Sequence, residues 1–143
     1  MRISKKQIEE AHKNGLYIDR LTGETYPAIT HQEFINKVEK LQPHHSERLY
    51  YCQARIVYCE YSPEFDCNPI LLQSYNTYVA MYLPETDRLF VFDYYSSTTC
   101  QHIAKFKNYF RGVYWKVLQF NCYRRVRDKN GSHIEYEPFI PFT

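Results

Sequence analysis

Glycine is scarce, with four scattered through 143 residues, so no glycine-rich loop is present to cradle a phosphate group. No apolar run approaches the roughly 18 residues that a membrane helix needs. The first fifteen residues are charged and amphipathic and lack the apolar segment of a secretion signal. Cysteine-pairing motifs are missing as well. The five cysteines (Cys52, Cys59, Cys67, Cys100 and Cys122) are odd in number and contain no C-x-x-C, which argues against a disulfide framework and a zinc knuckle. Free thiols suit a reducing compartment, so the chain is expected in the cytoplasm and off the membrane.

What is abundant is aromatic: fifteen tyrosines and nine phenylalanines. Tyrosine buries one part of its ring and keeps its hydroxyl wet, so these residues suit either a half-buried sheet or a binding face. The net charge of +2 hides a segregation. Residues 60–93 hold six acids and one base, a balance of −5, whereas residues 104–130 hold eight bases and one acid, a balance of +7. Such a chain carries a strong dipole if the segments lie on different faces, and it is not a wholly acidic mimic of nucleic acid.

Local signals order the elements. Ser4 and Gln7 form a capping box before a short helix that Gly15 ends, and Thr30 with Glu33 repeats the signal before an apolar stripe of Phe34, Ile35, Val38 and Leu41. From Glu47 the period changes to two, predicting a strand through Tyr58. Residues 62–69 read as a loop. Strands over residues 72–83 and 88–95 then flank the turn Pro84-Glu85-Thr86-Asp87. Thr98 and Gln101 read as a third capping box, with Ile103, Phe106 and Phe110 on the packed stripe and Gly112 at the end. A long strand over residues 113–127 turns at Asn130-Gly131 and returns over residues 133–136. The expectation is one α+β domain over residues 1–143, in the order ααβββαββ: an antiparallel sheet over residues 47–143 with one inserted helix, preceded by a helical part over residues 1–43.

Few residues offer chemistry. Cys100 stands in the first turn of the third helix, where the macrodipole favours a thiolate, but His102 is two residues on and points elsewhere. His44-His45 with Cys52 and Cys59 has metal-ligand residue types without a zinc spacing. Neither a catalytic residue, a metal site nor a cofactor is therefore expected. The segment Tyr123-Arg124-Arg125-Val126-Arg127-Asp128-Lys129 is the strongest electrostatic feature: either a hairpin that grips phosphates or an acidic protein surface, or a charged edge guarding against aggregation. Alternation along a strand puts Arg125 and Arg127 on one face and Arg124 on the other.

The segment 74–80, Ser-Tyr-Asn-Thr-Tyr-Val-Ala, and the segment from Tyr94 to Phe106 with Tyr95-Ser96-Ser97-Thr98-Thr99-Cys100-Gln101-His102 together resemble a pattern of small uncharacterised proteins of bacterial phages and plasmids, S-Y-x-T-x-V-A followed by Y-S-x-T-T-x-x-H. The resemblance implies a mobile-element origin and an action on host machinery, and it implies no reaction. Thr98, Thr99 and His102 then form either a recognition cluster at a helix N-terminus, or a cap and a brace that holds the helix against the hairpin. The expected function is non-enzymatic: the chain binds and inhibits a host protein or protein–nucleic acid complex, such as a nucleic-acid-guided or DNA-cleaving defence system, in the manner of an anti-CRISPR protein. A nucleic-acid-binding module using the basic hairpin is the alternative, and a hydrolase or transferase built on Cys100 is the third class. The expected partner-binding residues are Tyr94, Tyr95, Thr99, His102, Tyr123, Arg124, Arg125, Arg127 and Lys129.

Overall fold

The computed structural model describes residues 3–50, 52–111 and 117–142. In chain order the elements are α1 (Lys5–Lys13), β1 (Leu16–Ile18), β2 (Thr25–Thr30), α2 (His31–Glu39), β3 (Pro43–Arg48), β4 (Ala54–Cys59), β5 (Ile70–Ser74), β6 (Thr77–Leu83), β7 (Arg88–Val91), α3 (Ser97–Arg111), β8 (Leu118–Asn121), β9 (Tyr123–Asp128), β10 (Gly131–Tyr136) and β11 (Phe139–Pro141). The class is α+β. Two compact units form, residues 1–39 with 122–143, and residues 40–121. The N-terminal part is therefore not helical alone: it carries β1 and β2, and the C-terminal strands join it.

In the first unit both capping boxes are made. The Ser4 hydroxyl accepts from the Gln7 N–H at 3.2 Å while the Gln7 side chain accepts from the Ser4 N–H at 2.9 Å. Thr30 accepts from the Glu33 N–H at 3.2 Å. Gly15, with φ of 69°, takes the left-handed turn after α1 that a side chain would strain. β2 lies between β1 and β11, antiparallel to both. Phe34, Ile18 and Ile140 are buried here. So is the Glu137 carboxylate, which accepts from the Arg20 guanidinium at 3.3 Å. β9 and β10 form a separate two-stranded ribbon.

The second unit is a six-stranded sheet in the order β3-β4-β5-β6-β7-β8. Its pairs are antiparallel except β7 with β8, which run parallel because α3 supplies the long crossover that a parallel pair requires. Phe106 and Phe110 of α3 are buried, and the Phe110 ring stacks on Tyr82 of β6 at 4.4 Å. The packing stripe of α3 is thus the expected one, while Gly112 lies outside the described residues.

Several expected strands divide. The strand expected from Glu47 is a hairpin: Tyr50 turns the chain at φ of 53°, and the Leu49 N–H donates to the Ala54 carbonyl at 2.9 Å. The strand over residues 72–83 breaks likewise at Tyr75, with φ of 55°, where Ser74 faces Thr77 across a two-residue turn. Both turns place a tyrosine where glycine is the usual choice, so no turn residue announced them. β7 ends at Val91, leaving Tyr94 and Tyr95 outside any strand. The long strand before residue 127 separates at Cys122 into β8 of one unit and β9 of the other, and residues 113–116 lie outside the described residues.

Candidate partner-binding surface

The β9–β10 turn is built by Asp128, whose carboxylate accepts from the Asn130 N–H at 2.8 Å, and by Gly131 at φ of 111°. Asp128 pairs with Gly131, so Lys129 and Asn130 form the tip. Residues opposed across the ladder share a face. On one face Arg124 opposes Glu135 and Val126 opposes His133. The charged groups there contact one another: Arg124 donates to Glu135 at 3.1 Å, and His133 lies 3.1 Å from Glu135 and 3.6 Å from Asp128. The hydrogen bond from His133, then the nearby Arg124, holds the Glu135 carboxyl below the ordinary carboxylate range.

The other face carries Tyr123, Arg125, Arg127, Ser132, Ile134 and Tyr136. Arg125 donates from both Nε and Nη2 to the hydroxyl of Ser132, the residue opposite Arg127, at 3.3 and 3.1 Å. Arg127 and Lys129 are exposed and form no ion pair among the described residues. Arg125, Arg127 and Lys129 thus place three positive charges on this face and the tip. Tyr136 is 54% exposed, with its ring against His31 at 5.3 Å.

The remaining expected site residues are not on this face of the ribbon. Arg124 is occupied by Glu135. Tyr94 is exposed and Tyr95 half-buried, both in the loop before α3 of the other unit. Thr99 and His102 are buried, at 7% and 4% exposure, which removes them from any contact surface. They face Ser74 at the end of β5. The Ser74 hydroxyl lies 3.1 Å from the Thr99 hydroxyl and 2.8 Å from His102 Nδ1. The Ser96 hydroxyl reaches Thr99 at 3.4 Å. With Nδ1 accepting, the hydroxyls form one chain from Ser96 through Thr99 and Ser74 to His102. Burial, aided by the Lys105 charge, lowers the His102 pKa and keeps its imidazole neutral. Ser74, Thr99 and His102 are therefore a brace holding α3 against the β5–β6 hairpin.

The cap of α3 is Ser96 rather than Thr98. Ser96 accepts the Thr99 N–H at 3.3 Å on its hydroxyl and the Cys100 N–H at 2.9 Å on its carbonyl. Cys100 is exposed, its thiol 3.7 Å from the Tyr95 carbonyl, while His102 is turned onto Ser74. Among the thirteen described tyrosines Tyr82 is buried, five are half-buried, four of these in strands, and seven are exposed, so the half-buried sheet accounts for some of the rings and not for all.

Sequence reasoning missed a groove of about 710 Å³ beside β3, whose walls include His45, Glu47, Tyr58, Pro69, Ile70 and Pro84. The His45 ring stacks on Tyr58 at 5.9 Å and lies 3.2 Å from the Glu47 carboxylate. Burial, then a hydrogen bond with Tyr109, pushes the Tyr58 phenol up to about 12. No single motif marks the groove, since its lining comes from separate strands and loops. Cys59 lines this groove with His44 and His45, and burial pushes its thiol up to about 11, whereas the Cys52 thiol donates to the Leu49 carbonyl; among the described residues no group of three or more His, Cys, Asp or Glu side chains could hold a metal ion.

The model of a family of unknown function, DUF8033, matches residues 11–117. That span takes in β3, the groove and the Ser74–Thr99–His102 brace, and it ends before the β9–β10 ribbon. No curated protein and no solved structure matches the chain.

Proposed function

We propose that this chain, which belongs to the DUF8033 family, is a non-enzymatic binding protein that docks the Arg125–Arg127 face of its β9–β10 ribbon onto an acidic surface of a larger complex. The resemblance to phage and plasmid proteins directs this reading to a host complex of the defence type, which the bound chain inhibits. The observation that carries the proposal is the sorting of charge by register: Arg124 shares one face with Asp128, His133 and Glu135, while Arg125 and Arg127 share the other with Tyr123 and Tyr136, and Lys129 stands at the tip. Arginine and tyrosine are the residue types enriched in protein interfaces. Alternate residues on a strand stand about 7 Å apart, which suits two carboxylates on a partner.

Three cations on this face and tip favour a protein partner over a nucleic acid. Three phosphate contacts correspond to a salt slope near −3, far short of the 6–10 contacts of a strongly electrostatic DNA binder. A non-enzymatic role is supported by the geometry at α3, where the exposed thiol of Cys100 has lost its neighbouring imidazole to Ser74, and where Ser74 and His102 are closed to a substrate. The test compares the wild-type chain with Arg125→Glu/Arg127→Glu. Wild type is expected to retain a host protein complex on an affinity column at physiological salt, the variant to lose it, and neither to shift a generic DNA duplex. Tight, strongly salt-dependent duplex binding by wild type refutes the proposal.

A further inference from the structure

The groove beside β3 has the volume of a small-molecule site, about 710 Å³ against the roughly 300–1,000 Å³ usual for one. Its walls stand on rigid elements. Tyr58 and Ile70 oppose each other on paired strands, and the rings of Pro69 and Pro84 stiffen the backbone of the loops that complete the lining. One wall is aromatic, since the His45 ring stacks on Tyr58 with centroids 5.9 Å apart.

The polar groups of the lining sort by sign. Among the described lining residues Glu47 is the one carboxylate, and with histidine counted as neutral there is no cation. Alternation along β3 places Glu47 on the face of His45 and Arg48 on the opposite one. His45 holds one Glu47 oxygen at 3.2 Å, which orients the carboxylate and leaves the second oxygen to accept. The Asn68 amide is oriented too: its Nδ2 donates to the Cys59 carbonyl at 3.3 Å, so its Oδ1 is left as an acceptor. Glu60 and Glu85, both exposed, follow the lining residues Cys59 and Pro84 in the chain and add two carboxylates to the surroundings. Negative charge and acceptor oxygens, set among aromatic and apolar walls, are what the groove offers a ligand.

We infer that this groove is a binding site for a small aromatic cation, a planar ring compound bearing an amidine or amine. The ring lies against the His45–Tyr58 wall and the prolines, and the positive charge gains from the negative face of the Tyr58 ring. The N–H donors of the cationic group are met by the Glu47 carboxylate and the Asn68 amide oxygen, the first as a charge-assisted hydrogen bond. An anionic ligand would meet the same carboxylates as repulsion. The site is independent of the β9–β10 ribbon, and either reading stands if the other fails.

The test follows the amide resonances of the full-length chain during titration with benzamidine, beside its neutral isostere benzamide, the anion benzoate and the ring-free cation N-acetylarginine amide. Benzamidine is expected to shift the amides of His45, Tyr58 and Ile70 saturably in the millimolar range, and the other three compounds to bind at least fivefold more weakly. Glu47 is half in solvent, so Glu47→Gln leaves the fold intact; it should weaken benzamidine at least fivefold and change benzamide less than twofold. No saturable shift at about 10 mM benzamidine, shifts confined to other elements, or equal binding of benzamidine, benzamide and benzoate overturns the inference. So does benzamidine binding that Glu47→Gln leaves unchanged. N-acetylarginine amide binding as tightly as benzamidine overturns it as well, because the groove would then read an arginine side chain of a partner protein.

Discussion

Replacing Ser74 by alanine removes a single oxygen atom from the interior of the six-stranded unit, leaves His102 Nδ1 without a donor and leaves the Thr99 hydroxyl with only Ser96 as partner. That oxygen bridges Thr99 at 3.1 Å and His102 at 2.8 Å, in a site where all three residues are buried. The stranded His102 nitrogen costs about 1–3 kcal/mol and the lost bond to the still-partnered Thr99 about 0.5–1.5 kcal/mol. The small void adds little, so the expected destabilisation is about 2–4 kcal/mol. For a chain of this size each kcal/mol moves the midpoint by about 2–4 °C, giving a drop of about 5–15 °C in a thermal melt. The double variant Ser74→Ala/His102→Leu should be more stable than the sum of the single changes predicts, because it removes both partners together. A Ser74→Ala chain within about 2 °C of wild type, or strict additivity in the double variant, would refute the brace.

The pH dependence follows from the same site. The His102 pKa is lowered in the folded chain by burial and then by Lys105, so below the ordinary histidine value the unfolded chain binds the extra proton. Stability should therefore fall as pH drops through about 6.5, and His102→Leu should flatten that fall when denaturant midpoints are compared at pH 7.5 and 5.5. His12, also lowered by burial and then by Arg20, contributes the same sign in both proteins, so the difference between them is the readout. Ser96→Ala should cost about 0.5–2 kcal/mol in chemical denaturation and Thr98→Ala less than about 0.5 kcal/mol; the reverse order would return the cap to Thr98. Cys100 should alkylate first at neutral pH, ahead of the buried Cys59 and Cys67, whose thiols burial pushes up to about 11, and Cys100→Ser should leave partner capture unchanged. Arg127→Glu should slow association with the captured partner roughly tenfold and change dissociation much less, as expected for a rim charge.

What local chemistry controls could be read from the order of residues. The caps at Ser4 and Thr30, the turn ahead of Gly131 and the apolar stripe of α3 depend on groups within a few residues of one another, and they stand where the spacing put them. The split of arginines across β9 follows from alternation alone. The cap of α3 was ambiguous because Ser96, Ser97, Thr98 and Thr99 all carry hydroxyls, and only the direction of the entering chain selects Ser96. Tertiary structure decided the rest. The turns at Tyr50 and Tyr75 hold non-glycine residues in left-handed backbone, a cost of about 1–2 kcal/mol each that strand pairing on both sides offsets. Ser74 meets His102 across 28 positions of sequence, and the β3 groove draws its walls from residues 44–84, so neither leaves a local trace. The same holds for charge: composition counted the arginines of residues 124–127, but pairing with β10 determined that Arg124 is neutralised by Glu135, while Arg125 and Arg127 share the opposite face, because register assigns each side chain its cross-strand neighbour.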